Sequence, residues 1–331
     1  MPDAAADPLD CLIVGGGPAG LTAALYLARF HRRVMVVDKG EGRLQMIPRT
    51  HNLAGYPQGI RGADLLSEMR GQAARYGAAL VQAEVTALRH ADGVIEAEIA
   101  GPATGAPVTG PVTGPATGAP LARPVRARTV LLATGVVNHR PPLDAATHDR
   151  AVAAGLLRYC PICDGYEQSG KRIAVLGGDR HGLAEAVFLR SYSRDVTLVS
   201  LTGLALDPAE RAEAERAGVA LAPAPVSHFG FDEGEVRLTL ADGSQHVFDT
   251  LYAALGTHTR NRLGEMLGTR LVDGECFVTD AHQRTTASGV YAAGDAVDAL
   301  DQIGIAIGTG ARAAVAIHND LRARDDELLV P

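Results

Sequence analysis

The chain is poor in cysteine. Only Cys11, Cys160, Cys163 and Cys276 occur in 331 residues. That is too few for a disulfide scaffold and fits a reducing compartment. Two of the four form a single C-x-x-C, with no second pair to complete a zinc ribbon, so no metal site is expected. Cys11, in an apolar run, and Cys276, far downstream, read as inert core thiols. Positive charge is also short. With Lys+Arg 31 against Asp+Glu 38 and a net charge of −7, a general nucleic-acid binder is excluded. Residues 1–10 are acidic and have no positive region followed by an apolar core, so no secretory signal is expected. The longest apolar stretch, from Cys11 to Ala28, is broken by a glycine cluster, so no membrane partner or span is expected. What remains is a 47% hydrophobic chain, long enough for two domains and expected to be cytoplasmic.

Two stretches repeat one plan. The first runs from a strand over residues 9–14 through Gly15-Gly16-Gly17-Pro18-Ala19-Gly20 into a helix over 21–30 and a strand over 34–37, ending at Asp38. Strand, glycine turn, helix, strand and acid open a Rossmann unit. The plan restarts with a strand over 172–176, a turn Gly177-Gly178-Asp179-Arg180-His181-Gly182, a helix over 184–191 and a strand over 196–200. The predicted fold class is α/β, with two three-layer dinucleotide-binding domains, the second inserted into the first. The first domain is expected over 1–140 and 257–331, including a C-terminal tail, and the second over 141–256. Residues 101–124, between strands over 94–99 and 125–132, consist of Gly, Pro, Ala, Thr, Val, Leu and Arg. They read as a flexible loop expansion that cannot form a packed core. Strands over 130–133 and 250–255 end at similar corners, Thr134-Gly135 and Gly256. Gly294-Asp295 follows another strand, and a helix over 303–318 carries Gly304, Gly308 and Gly310, each read as allowing close backbone approach.

The two turns differ where chemistry is decided. In the first, Gly15 permits the tight turn, Gly17 lets backbone amides reach a pyrophosphate, and Gly20 lets the helix close on the sheet. Asp38 is placed for a ribose hydroxyl pair. Gly294-Asp295 and the helix opening near Ile303, whose amide dipoles could meet an electron-rich ring, support a flavin. In the second turn, Asp179 stands where Gly17 stands in the first. A carboxylate there fills the pyrophosphate space and repels its charge. The strand ending near Ser200 is followed by Leu201-Thr202-Gly203-Leu204 and no basic residue before Arg211, so the arginines that hold a 2′-phosphate are missing. Nicotinamide binding is therefore doubtful, although Arg180 and His181 offer an unusual route to phosphate.

Cys160-Pro161-Ile162-Cys163-Asp164 is the strongest motif. C-x-x-C spacing allows a small disulfide ring that opens and closes reversibly. Pro161 suits the first turn of a helix. Asp164 is placed to move a proton. The many histidines form no metal-like spacing. His51, in the Thr50–Pro57 segment, is the exception to a bland reading, because that segment is expected near the flavin.

Together these residues resemble the low-molecular-weight thioredoxin reductase family. The resemblance is carried by Gly15 to Gly20, Asn52-x-x-Gly55-x-Pro57, Gly59-Ile60, Gly62, Ala133-Thr134-Gly135, Tyr159-Cys160-x-x-Cys163-Asp164-Gly165 and the segment from Gly289 to Asp295. It implies FAD held by Gly15, Gly17, Pro18, Ala19, Gly20, Asp38, Asn52, Thr134, Gly135, Gly294, Asp295, Gln302 and Ile303. It implies Cys163 as the thiol facing the flavin, Cys160 as the thiol attacking a partner's disulfide, and Asp164 as acid–base. It also implies a small domain that rotates, a thioredoxin-like partner and a homodimer. Asp179, the missing arginines and Asp301, where the family usually has arginine before Gln302, align the chain with the branch whose NADPH motifs are degraded. Some members of that branch take electrons from ferredoxin, and others oxidise small dithiols with oxygen. The leading expectation is an FAD-dependent dithiol–disulfide oxidoreductase that does not use NADPH. The alternatives are an NADPH-dependent reductase with unusual contacts, an oxygen-dependent dithiol oxidase and a non-enzymatic flavin redox sensor.

Overall fold

The apolar run Leu9–Val14 (β1) and the apolar strand Val34–Asp38 (β2) are joined through the helix Pro18–Arg29 (α1). Strands this apolar need cover on both faces, which a parallel sheet under helices provides. The computed structural model describes residues 7–101, 124–232 and 234–326. The proposed loop expansion lies almost wholly outside them, as do the last residues of the tail. Among the described residues no helix is long and apolar enough to cross a membrane.

The chain divides into two units. One comprises residues 1–45, 62–137 and 259–331, and the other 46–61 and 138–258. The segment 46–61, expected within the first domain, groups with the second unit. Hydrogen bonding explains part of this, because Asn52 Nδ2 donates to the carbonyl of Ile162 at 3.4 Å.

In the first unit, Gly62–Arg75 (α2) precedes Ala79–Gln82 (β3), Glu84–Ala91 (β4), Val94–Ala100 (β5) and Val125–Leu132 (β6). The sheet order is β3-β2-β1-β6-β5-β4, and the late strand Val290–Ala292 also pairs with β6. β1, β2, β3, β6 and Val290–Ala292 run parallel, whereas β4, β5 and β6 form an antiparallel meander. Leu12, Val14, Ile95, Val130, Leu132, Phe277 and Val290 are buried in one core on this sheet. The helix Ile303–Arg324 crosses α1 at Gly310, where a Cβ would lie 2.2 Å from the carbonyl oxygen of Ala19. Gly304 and Gly308, expected to act alike, have no such neighbour within 4 Å. They lie on turns of the helix that do not meet a backbone.

In the second unit, Arg172–Leu176, Asp195–Val199, Ala220–Leu221, Thr250–Ala253 and Leu157–Arg158 form a parallel five-stranded sheet. Alternate residues of its strands enter different cores. Ala174, Leu176, Leu251 and Ala253 face an antiparallel three-stranded sheet through Val236, Leu238 and Phe248. Ile173, Val175 and Tyr252 join Leu183, Ala186 and Leu189 of the helix Arg180–Leu189. The three-stranded sheet was not anticipated from the sequence. Its strands alternate polar and apolar residues over short runs, a weak signal beside the glycine turns.

Candidate functional site

Each unit carries half of the expected machinery. In the first unit the chain leaves β1 at Gly15, whose φ of +107° only glycine adopts readily. A Cβ there would lie 2.2 Å from the Ala133 carbonyl, and one at Gly20 would lie 2.0 Å from the Gly15 carbonyl. The turn is thus pressed against both the Thr134-Gly135 corner and its own helix. Gly17 is the opposite case, with nothing within 4 Å of a Cβ built on it. It is the N-cap of α1 without a side-chain hydrogen bond, and Pro18 follows at the first turn. Among the described residues no side chain caps this helix end, whose first amides have no intrahelical partner and suit an anion.

Asp38 lies beside this turn, because a Cβ on Gly16 would come within 2.8 Å of it. Its Oδ2 accepts from Arg70 Nη2 at 2.6 Å, a partner the sequence did not reveal. Thr134 Oγ1 is buried and has no hydrogen-bond partner. Gly294 N donates to Thr309 Oγ1 at 3.0 Å, which fastens the Gly294-Asp295 turn to the helix whose N-cap is Gln302 and first residue Ile303. Arg43 Nη2 bridges Asp295 at 2.5 Å and Asp301 at 2.8 Å. Burial, then the charge of Asp295, raises the Asp301 carboxyl above its ordinary range. The open helix end, the orphaned hydroxyl and the nearby carboxylate of Asp38 fit a flavin dinucleotide. Bound FAD would supply a two-electron acceptor and donor.

In the second unit Cys160 and Cys163 form a disulfide, with Sγ–Sγ 2.08 Å and Cα–Cα 5.3 Å. Cys160 is the N-cap of the single helical turn Pro161–Asp164, and Cys163 N donates to Cys160 O at 3.0 Å. Gly165 lets the chain turn beneath Tyr192, whose ring would meet a Cβ at 2.8 Å. Asp164 Oδ1 accepts from the Tyr252 hydroxyl at 2.7 Å, and Oδ2 accepts from Arg158. On the other side, Tyr159, just before the pair, meets buried His148 through its hydroxyl at 2.8 Å. Asn52, expected among the flavin residues, comes to this turn through Ile162. His51 is exposed, and its ring is the near neighbour of Gly59.

The second glycine turn forms, but with a different occupant. Asp179 is the N-cap of Arg180–Leu189, and its carboxylate accepts from Gly182 N at 3.0 Å. The loop after Asp195–Val199 folds onto the turn, where Ala205 N donates to Gly178 O at 2.6 Å. Arg180 pairs with Glu213, and His181 Nε2 pairs with Glu185 at 3.1 Å. Arg211 donates to the carbonyls of Leu204 and Leu206. Among the remaining thiols, Cys11 is fully buried and raised to about 12 by that burial. Cys276 is only half-buried and lies 3.7 Å from Thr259 Oγ1. It is less a core residue than its sequence position suggests.

Residues 9–313 match the profile of the family Pyridine nucleotide-disulphide oxidoreductase. The chain belongs to this family. It is also 30% identical to a thioredoxin reductase of Streptomyces coelicolor over 97% of this chain and 96% of that one. Among solved structures, that of HlmI superposes with a TM-score of 0.82 at 26% identity, covering 98% of this chain and 96% of the other. The thioredoxin reductase of Streptococcus pyogenes shares the fold with a TM-score of 0.80 at 24% identity, covering 95% and 98%. The chain is thus a thioredoxin-reductase-type flavoprotein oxidoreductase acting on sulfur, with its cysteine pair at disulfide distance. Arg43, Arg70, Thr309, Arg158 and Tyr252 were missed in the sequence. None belongs to a motif, and each is joined to the site by the fold.

Proposed function

We propose that the chain is an FAD-dependent dithiol–disulfide oxidoreductase whose electrons do not come from NADPH. They pass between the flavin, the Cys160–Cys163 pair and a thioredoxin-like protein or small dithiol, with ferredoxin as the class of donor in the reductive direction. Residues 1–140 and 257–331 are the proposed flavin-binding part, and 141–256 the nicotinamide-binding-like part. FAD is held by Gly15, Gly17, Pro18, Ala19, Gly20, Asp38, Asn52, Thr134, Gly135, Gly294, Asp295, Gln302 and Ile303, in a cytoplasmic homodimer. Cys160, Cys163 and Asp164 carry the exchange.

One observation carries the reading on the donor: the carboxylate of Asp179 caps the helix end that a nicotinamide pyrophosphate would use. A pyrophosphate must displace that hydrogen bond and then meet the negative charge that made it. Arg180 and His181, which could compensate, already face Glu213 and Glu185.

The test is an anaerobic titration of the purified flavoprotein, followed by flavin absorbance. Dithiothreitol is expected to bleach the flavin, and NADPH and NADH to leave it oxidised. Rapid bleaching by NADPH would overturn the donor assignment. A Cys163→Ser protein with unchanged disulfide turnover would overturn the exchange itself.

A further inference from the structure

We infer that Tyr252 and Arg158 are positioning residues for Asp164, together bracing both ends of the redox cysteine turn. The inference rests on the proposed dithiol–disulfide reading and deepens it.

Tyr252 is fully buried, and its ring lies in the apolar cluster of Ile173, Val175, Leu183 and Leu189. A phenylalanine would fill that space without a polar atom. A buried hydroxyl left unpaired is destabilising, so this one needs a partner. Here the hydroxyl reaches the rim of the cluster and donates to Asp164 Oδ1 at 2.7 Å. Arg158 is the register partner of Tyr252 on the neighbouring parallel strand. Its Nη1 donates to Asp164 Oδ2, and its Nε donates to Thr250 Oγ1 at 3.2 Å. Thr250 and Tyr252 are two residues apart on one strand, so their side chains share a face. One strand therefore holds the carboxylate directly through Tyr252 and indirectly through Arg158.

The placement matters because Arg158 lies two residues before Cys160 and Asp164 directly follows Cys163. Their ion pair closes the turn across its base. Each carboxylate oxygen receives one donor and keeps a lone pair for a further proton. In the exchange, the sulfur of reduced Cys160 attacks one sulfur of an external disulfide. A new S–S bond forms to that sulfur and the external S–S bond breaks, its electron pair leaving with the second sulfur. The Cys160 proton goes to Asp164 and then to that leaving sulfur. A carboxylate held by two donors needs less reorganisation for either transfer. Glu167 in the following turn acts electrostatically on the Tyr252 hydroxyl. The helix Arg180–Leu189, which packs on the turn, has its His181 and Glu185 paired with each other.

The experiment uses the flavoprotein reduced with dithiothreitol, freed of reductant and mixed once with 5,5′-dithiobis(2-nitrobenzoate). Release of the aromatic thiolate is followed at one fixed pH in wild type, Tyr252→Phe, Arg158→Met, Arg158→Lys and Asp164→Asn. Removing a donor frees the carboxylate to leave its geometry. The rate is expected to fall roughly tenfold in Tyr252→Phe. It should fall further in Arg158→Met, return most of the way in Arg158→Lys and be lowest in Asp164→Asn. Thermal melts of the same proteins, with the lysine rescue, separate this from a loss of stability. An unchanged rate in a folded Tyr252→Phe protein overturns the brace alone. A wild-type pair that fails to react with the aromatic disulfide overturns the dithiol–disulfide reading and the brace with it.

Discussion

The two glycine turns begin alike. Each follows a buried parallel strand, and each starts its helix from an extended N-cap: Gly17 has φ −80°, ψ −174° and Asp179 has φ −127°, ψ −173°. In the first turn nothing from the N-cap side chain reaches the helix amides, and open space lies in front of them. In the second a carboxylate sits on those amides and the loop carrying Ala205 closes on the glycines. A Rossmann turn is therefore not a ligand site by virtue of its fold. On the function proposed above, it becomes one where the helix terminus is left unsatisfied by the chain itself.

This contrast can be tested by exchanging the two N-caps. Gly17→Asp should have the largest effect. Its φ is negative and its Cβ has room, so the fold should accept it. The new carboxylate should cap α1 and repel the pyrophosphate, weakening FAD binding by about 2–3 kcal/mol, roughly a hundredfold. The ratio of flavin to protein absorbance after dialysis measures this, and full flavin retention would break the comparison. The converse change, Asp179→Gly, should raise affinity for a nicotinamide dinucleotide by about tenfold, read by calorimetry. Asp179→Ala removes the cap without offering glycine's freedom and should cost about 1 kcal/mol in chemical denaturation of the second unit.

Electrostatics outside the turns should make the units behave alike. Hydrogen bonds from arginine lower the carboxyls of Asp320 (Arg284) and Asp325 (Arg128) in the first unit and Asp249 (Arg172) in the second, all from 3.8. A folded value below the unfolded one contributes stability that is complete above the unfolded value and is lost as pH falls through the folded one. Melting temperature should therefore fall in both units as acid is added below the ordinary carboxylate range. Asp301 has the opposite sign, since burial and Asp295 raise it. Its contribution declines as pH rises through its folded value, so Asp301→Asn should flatten that slope and slightly raise the melting point at neutral pH. This is the smallest effect, because the side chain is 37% exposed and solvent screens it.

Much of the fold could be read from local sequence. The strands Leu9–Val14 and Arg172–Leu176 have the bounds expected from their apolar runs and glycine stops. The glycine turns are legible for the same reason, since spacing along the chain alone determines whether a tight turn can form. Asp179 too was legible as a departure from the first turn, and the structure shows what it does there, accepting from Gly182 N as the helix cap. The helix starts were less so. Arg180–Leu189 begins four residues before its first expected position, because Asp179 supplies a cap that periodicity does not register. Arg43 bridging Asp295 and Asp301, and Tyr252 with Arg158 on Asp164, were not legible at all. Those partners lie 252, 258, 88 and 6 residues apart along the chain. Only strand register and helix packing bring such groups within hydrogen-bond reach. The sequence alone determined the glycine turns, the thiols and the strands that flank those turns. The tertiary structure decided which charges meet, because electrostatic contacts depend on distance in space and carry no periodic signature along the chain.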